Sequence, residues 1–275
     1  MTQFPRAAVL GHPISHSLSP KLHGYWLNRY GLAGEYTAID VSEGQLEATL
    51  NRLPREGFVG ANVTIPHKVS VMQLVDQLTD RATLIGAANT LVFKEDGRIF
   101  ADNTDGYGFI ANLRQGAPDW DAKAGPAAIF GAGGASRAVV VALIEAGAPE
   151  ILISNRTRPK AEALRADFGA RVSVVDWVQA DQMLIEARTV VNTTSLGMAG
   201  AQDFKVSLDR LRKDAVVTDI VYNPLQTPFL QAAAAQGCTT VDGLGMLLHQ
   251  GVPGFERWFG QRPDVDDDTR RAVLA

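Results

Sequence analysis

Two short stretches of this chain have residue types and spacing that could do chemistry. The first is GAGGAS, residues 131–136. It follows the apolar run AAIF and opens the helix-compatible ASRAVVVALIEAG, after which ILIS reads as a second strand. A strand, glycine turn, helix and strand within about 28 residues form the unit that binds the pyrophosphate of a dinucleotide. Gly131 permits the tight turn and Gly133 the close approach of backbone to phosphate, while the helix start offers free N–H groups and the positive end of its dipole. Ser136 stands where the fingerprint usually has a third glycine or alanine. A turn that merely packs is the plainer alternative; the strand and helix around it favour the nucleotide. An acid normally follows about 20 residues on, for the ribose hydroxyls. Here NRTRPK puts Arg156 in that place, with Arg158 and Lys160 close behind. Planar guanidinium donors suit a 2′-phosphate, so NADP is expected rather than NAD, against the alternative of a solvated basic loop.

The second stretch is VGANVTIPHK, residues 59–68, where Asn62, Thr64, His67 and Lys68 are the side chains able to do chemistry or firm hydrogen bonding. It reads as a strand, a proline turn and the start of a helix running from His67 to about Leu78. A lysine is unfavourable at a helix N-terminus, where the dipole is already positive, so some further demand must hold it there. The ordinary alternative is a surface lysine laying its stem along apolar neighbours. Asp105, in DNTDG, taken alone reads as a helix cap. Asn62 and Asn89 taken alone read as turn residues.

The elements that must position these groups alternate between short apolar runs and helical patterns. RAAVL is strand-like, and SPKLHGYWLNRYG places Leu22, Tyr25, Trp26, Leu27 and Tyr30 on one helical face that Gly31 can end. EYTAIDV, a helix near GQLEATLNRL and then FVGANVT repeat the pattern. NTLVFKEDGRIFADN carries two apolar runs around Asp96-Gly97, a hairpin signal, so the first sheet should be mixed. The expected fold class is therefore α/β: an N-terminal substrate domain with a mixed sheet and a Rossmann-type NADP-binding domain with a parallel sheet, beyond the Gly- and Pro-containing stretch GAPDWDAKAGP. With 26 Lys+Arg against 30 Asp+Glu and a net charge of -4, the chain shows no basic surface for nucleic acid. Cys238 is the single cysteine, and no CxxC or HExxH spacing suggests a metal. The N-terminal residues lack an apolar signal region, and no run approaches the roughly 18 apolar residues of a membrane span. A cytoplasmic protein with no membrane or nucleic-acid partner is expected, as a monomer or homodimer.

Eight motifs stand in the order and spacing of one family: GHPISHSLSPKLH, GANVTIPHK, IGAANTLVF, DNTDGYGF, GAGGASRA, NRTRPKA, NTTSLGM and VDGLGMLLHQG. Across nearly its whole length the chain resembles the shikimate dehydrogenase family. The resemblance implies reversible NADP-dependent reduction of 3-dehydroshikimate to shikimate, a step towards chorismate and the aromatic amino acids. It implies a substrate and catalytic domain over residues 1–108, an NADP domain over 109–242 and a helical segment, 243–275, returning to the first domain, with a cleft that closes over the reactants.

Hydride addition to a ketone makes an alkoxide that needs a proton donor, and Lys68 is the candidate. The family pattern pairs it with Asp105. By the same resemblance Ser15 and Ser17 bind the substrate carboxylate, Tyr222 approaches it, and Asn62, Thr64, Asn89, Asp105 and Gln250 surround the ring hydroxyls and carbonyl. Gly131, Ala132, Gly133, Gly134, Ala135 and Ser136 cradle the cofactor. Asn155, Arg156, Thr157 and Lys160 meet its adenosine end, Thr193 and Ser195 line its groove, and Gly243 and Met246 lie beside the nicotinamide. Ser19, before Pro20, is expected to cap a helix. His12, His16, His23, His67 and His249 match no catalytic position and are read as structural or peripheral, and Leu247 and Leu248 as core. Gly24 and His12 stand where the pattern usually has asparagine, which leaves open a quinate/shikimate dehydrogenase of relaxed specificity. A non-catalytic, nucleotide-gated metabolite-binding protein is the alternative of another class; a proton donor would be superfluous there.

Overall fold

The computed structural model describes residues 4–275, which divide into two compact units: residues up to Gly108 together with Leu247–Ala275, and Phe109–Met246. In chain order the first unit contains β1 (Arg6–Gly11), α1 (Ser19–Arg29), β2 (Glu35–Asp40), α2 (Leu46–Arg52) and β3 (Phe58–Val63). After these come β4 (Gln77–Leu78), α3 (Asp80–Ile85), β5 (Thr90–Phe93), β6 (Ile99–Asp102) and the start of α4 (Asp105–Gly116). Its sheet runs β2-β1-β3-β5-β6-β4. β3 pairs antiparallel with β5, and β5 with β6, while β1 pairs parallel with β2 and β3, so the sheet is mixed. Because side chains alternate along a strand, β1 sends Ala8 and Leu10 to one core with Leu50, Leu53 and Leu91, and Ala7 and Val9 to another with Tyr36. The hairpin forms where Asp96-Gly97 indicated it: Gly97 has φ +87° and Lys94 N–H donates to the Arg98 carbonyl at 2.8 Å.

Two local expectations are corrected. No helix runs from His67 to Leu78; Lys68 sits in a turn that follows the cis Ile65–Pro66 bond, and a short 3-10 turn, Ser70–Gln73, leads to β4. Pairing with β6 outweighs local helical spacing, since Asp76 N–H donates to the Ile99 carbonyl and Asp76 Oδ2 accepts from Ile99 N–H. Lys68 therefore does not face the positive end of a helix dipole. Ser19 does not cap α1 either: Leu18 holds the cap position without a side-chain bond, and Ser17 Oγ accepts from Ser19 N–H.

The second unit contains β7 (Ala127–Phe130), α5 (Gly134–Ala146), β8 (Ile151–Ser154), α6 (Arg158–Phe168) and β9 (Val172–Val174). β10 (Thr189–Asn192), β11 (Val216–Asp219), α7 (Pro228–Ala235) and β12 (Thr239–Val241) follow; α8 (Leu244–Phe259) begins in this unit, and its part from Leu247 on, with α9 (Asp267–Leu274), belongs to the first. The six strands are all parallel in the order β12-β11-β10-β7-β8-β9, the doubly wound Rossmann order. Strands buried on both faces read as continuous apolar runs, and β7 shows why: Ala127 and Ile129 enter one core, Ala128 and Phe130 the other. The order reverses between β7 and β10, so the loops at their C-terminal ends frame the ligand crevice of such sheets.

Candidate active site and dinucleotide site

In the first unit a hydrogen-bonded array surrounds Lys68. Its Nζ donates to Asp105 Oδ2 at 2.6 Å, and Asn89 Nδ2 donates to Asp105 Oδ1 at 2.8 Å. Asp105 thus spends its carboxylate on these two partners instead of capping α4; its own N–H donates to Asn103 Oδ1. Asn89 cannot rotate, because its Oδ1 accepts from Thr104 N–H at 2.8 Å while Nδ2 also reaches Gln250 Oε1 at 3.1 Å. Asn62, on β3 and not in a turn, donates through Nδ2 to the Asn89 carbonyl and to Thr90 Oγ1, and its Oδ1 accepts from Tyr36 O–H at 2.7 Å. Asn62, Asn89 and Asp105 are all buried, whereas the Lys68 side chain keeps 24% of its surface exposed. One of three ammonium donors is committed to Asp105, leaving two that can turn to a ligand. A charge-assisted bond fixes the donor's direction, which is what proton transfer to a reacting oxygen requires.

Of the other residues expected at the substrate, Ser15 is exposed, and Ser17 and Thr64 are half-buried. A side chain at Gly11 would strike Thr64 Cγ2 at 2.5 Å, so glycine there lets Thr64 keep its place. Two histidines have partners of their own outside the array. His67 Nε2 bonds to the Val41 carbonyl, and His12 Nδ1 faces Asp40. His23 is fully buried, stacked on Tyr36 at 3.9 Å, and burial lowers its pKa to about 3; burial also lowers that of His249 to about 4. Leu248 is core and Leu247 half-buried. Tyr36 escapes a reading of motifs, and its one sequence signal is the alternation that turns it inward on β2. Thr90 and Thr104 lie inside IGAANTLVF and DNTDGYGF, where Asn89 and Asp105 are the residues those motifs bring forward.

In the second unit Gly131 takes φ +114°, and a Cβ on it would meet Thr193 Oγ1 at 2.5 Å. Around Gly133 and Gly134 a Cβ would meet nothing within 4 Å, so the start of α5 is open. Ser136 Oγ accepts from Gly133 N–H at 3.1 Å and bonds Thr193 Oγ1 at 2.5 Å, which accounts for serine at a usual glycine position. A tight left-handed turn, open glycines and a long helix pointing its N-terminus outward fit a dinucleotide pyrophosphate. Ala132 and Ala135 complete that turn, and Ser195 is exposed just beyond Thr193.

At the end of β8, Asn155 Nδ2 donates to the Thr157 carbonyl, tightening the loop. Arg156 Nη1 donates to Gln202 Oε1 at 3.0 Å. Arg158 is committed elsewhere, to Asp176 and to Glu162, and those carboxylates, Asp176 first, raise its pKa. Lys160 is exposed without a charged partner among the described residues. Of the three basic groups, Arg156 and Lys160 keep their charge available. Tyr222 is half-buried, which raises its phenol pKa. Any side chain at Gly243 would overlap the Ile220 backbone at 2.5 Å, and Met246 is buried in the apolar core.

Comparison with known proteins agrees on one family. The shikimate dehydrogenase substrate binding domain matches residues 9–91, shikimate / quinate 5-dehydrogenase residues 116–222, and the shikimate 5′-dehydrogenase C-terminal domain residues 243–274. The chain is 65% identical over 273 residues to shikimate dehydrogenase (NADP(+)) of Cereibacter sphaeroides, covering 99% of this chain and 98% of that one. The structure resembles shikimate 5-dehydrogenase from Thermus thermophilus in complex with NADP(H) and shikimate, with TM-score 0.88, 38% identity and 98% of each chain covered. It also resembles quinate dehydrogenase from Corynebacterium glutamicum in complex with NAD, with TM-score 0.91, 32% identity, and 98% and 99% of the chains covered.

Proposed function

This chain belongs to the shikimate dehydrogenase family, and we propose that it reversibly reduces 3-dehydroshikimate to shikimate with NADP, using Lys68 as proton donor and acceptor and Asp105 as its partner. That step lies on the way to chorismate and the aromatic amino acids. The observation that carries the residue assignment is the 2.6 Å pair of Lys68 Nζ and Asp105 Oδ2, locked by Asn89. When bound, the reduced nicotinamide supplies the hydride. Lys68 delivers a proton to the former carbonyl oxygen and recovers it in the reverse direction, while Asp105 keeps the ammonium aimed. Asn62, Thr64, Asn89 and Gln250 offer neutral partners for ring hydroxyls, and Ser15 and Ser17 offer donors for the carboxylate. For the cofactor, the glycine turn and the start of α5 would receive the pyrophosphate and Arg156 and Lys160 the 2′-phosphate. Among the described residues no helix is long and apolar enough to cross a membrane. We place the enzyme in the cytoplasm as a monomer or homodimer.

One assay tests the reading: purified protein, shikimate or quinate, NADP+ or NAD+, and the absorbance of reduced nicotinamide. Shikimate with NADP+ should be the best pair. Faster turnover of quinate would move the chain to a quinate-oxidising member of the family, and no oxidation of either acid would leave a metabolite-binding protein.

A further inference from the structure

The Arg156 guanidinium is held from across the sheet's C-terminal edge. Its Nη1 donates to Oε1 of Gln202, 46 residues further on. A guanidinium only donates, so the amide atom facing it must be the oxygen, which turns Gln202 Nε2 away as an uncommitted donor. Gln202 is itself anchored: its carbonyl accepts from Gly197 N–H at 2.8 Å, closing a turn in which Gly197 and Gly200 have φ +84° and +79°. That turn follows β10, whose next residue, Thr193, is bonded to Ser136 in the glycine turn. The loop after β8 and the loop after β10, on either side of β7, are thus bridged by one side-chain contact. The partner's chemistry matters. Arg158 faces two carboxylates, whereas Arg156 faces a neutral amide, which uses one of five N–H groups and leaves the positive charge intact.

We propose that Gln202 is a positioning residue for cofactor choice: it fixes Arg156 where the guanidinium meets the 2′-phosphate of NADP, without neutralising it. The proposal rests on the reading of NRTRPK as the 2′-phosphate site. A glutamate at position 202 would pair with Arg156 and repel the phosphate; an alanine would only release the guanidinium.

Calorimetry with adenosine 2′,5′-bisphosphate and with AMP tests this, because the ligands differ only in the 2′-phosphate, and NADP+ and NAD+ kcat/KM values accompany it. Gln202→Glu should weaken the bisphosphate by about 10 to 100-fold and Gln202→Ala by about 3 to 10-fold, with AMP and NAD+ unchanged within about twofold. In an Arg156→Ala background, Gln202→Ala should add nothing, since it acts through the missing guanidinium. Equal losses for both ligands, no loss in Gln202→Glu, or an additive loss in the double variant would overturn the proposal. A wild-type protein that did not distinguish the bisphosphate from AMP would instead overturn the 2′-phosphate site itself. Gln202 is exposed, so circular dichroism should show all variants folded.

Discussion

The surroundings of Lys68 and those of Arg156 show two ways of holding a cation. Lys68 meets a buried carboxylate whose second oxygen is bonded to a buried amide, and that amide is fixed by a backbone N–H and a second amide. Arg156 extends over an exposed loop to one neutral side chain. In the first region water is largely excluded, each partner limits the rotation of the next, and removal of one group leaves a buried donor or acceptor unsatisfied. In the second region, solvent screens the charge and neighbours adjust at little cost. Proton transfer needs a fixed direction, whereas discrimination of a phosphate needs mainly an available charge. The two regions should therefore fail differently when cut.

The largest effect is expected at Lys68. Lys68→Ala should lower kcat by about 10² to 10⁴-fold while NADP+ binding, measured by calorimetry, stays near wild type. A variant keeping more than half of wild-type kcat would remove Lys68 from the chemistry. Asp105→Asn should also be severely slowed, because the amide keeps the shape but loses the negative charge and one of the two acceptor oxygens that Lys68 and Asn89 use; little change would return Asp105 to a purely structural place at the start of α4.

Next comes Arg156→Ala. Loss of a charge-assisted hydrogen bond of roughly 1.5 to 3 kcal/mol should weaken NADP+ by about 10 to 100-fold, with Lys160 retaining part of the preference. NAD+ should hardly respond. Both kcat/KM values should be taken at fixed ionic strength, because salt screens exposed contacts. Equal changes for the two cofactors would make the cluster a solvated loop after all.

Much of this contrast is legible in the sequence, and the rest is hidden for identifiable reasons. GAGGAS between two apolar runs, the Asp96-Gly97 hairpin and Arg156 after β8 are local signals, and local signals suffice for the Rossmann unit and the mixed sheet. The segment after Lys68 misleads because its apolar spacing resembles a helix, while what decides its path is pairing of Asp76 and β4 with a strand more than twenty residues away. Asp105 misleads in the opposite sense, since an aspartate at a helix start is an ordinary cap until Lys68 and Asn89 are brought to it. Tyr36 carries no motif, Thr90 and Thr104 stand inside motifs beside the more conspicuous Asn89 and Asp105, and Gln202 sits in a turn, GMAGAQ, whose only signal is glycine. Their roles exist only as partners of residues distant in the chain.

Tyr36 measures how tightly the buried region is built. Tyr36→Phe keeps the ring stacked on His23 but leaves Asn62 Oδ1 without its buried donor. Such an orphaned acceptor costs about 1 to 3 kcal/mol, to be read from urea unfolding, and a looser Asn62 should raise the KM for shikimate. Unchanged stability together with unchanged KM would show that the array tolerates a missing link, and the contrast between the two regions would lose its basis.

The smallest effect is expected at Arg158, two residues from Arg156 and identical in type. Proximity in sequence would give both arginines the same role; the geometry does not. Arg158 Nη2 reaches Glu162 at 2.8 Å and Nη1 pairs with Asp176, so two carboxylates already balance its charge. For a phosphate to recruit it, those contacts would have to break in exchange for one of similar strength in solvent, a near-neutral trade. Each of these exposed pairs contributes about 0 to 1 kcal/mol, so Arg158→Ala should also leave the thermal midpoint nearly unchanged. The ratio of kcat/KM for NADP+ to that for NAD+ should move by less than about twofold, against about 10 to 100-fold for Arg156→Ala. Asp176→Asn sharpens the comparison further: with one carboxylate removed, Arg158 gains charge to offer, and the NADP+ preference should rise slightly. If Arg158→Ala instead narrowed the preference as much as Arg156→Ala does, the neutral contact of Arg156 with Gln202 would no longer distinguish the two arginines, and the 2′-phosphate would have to be shared among the whole basic cluster.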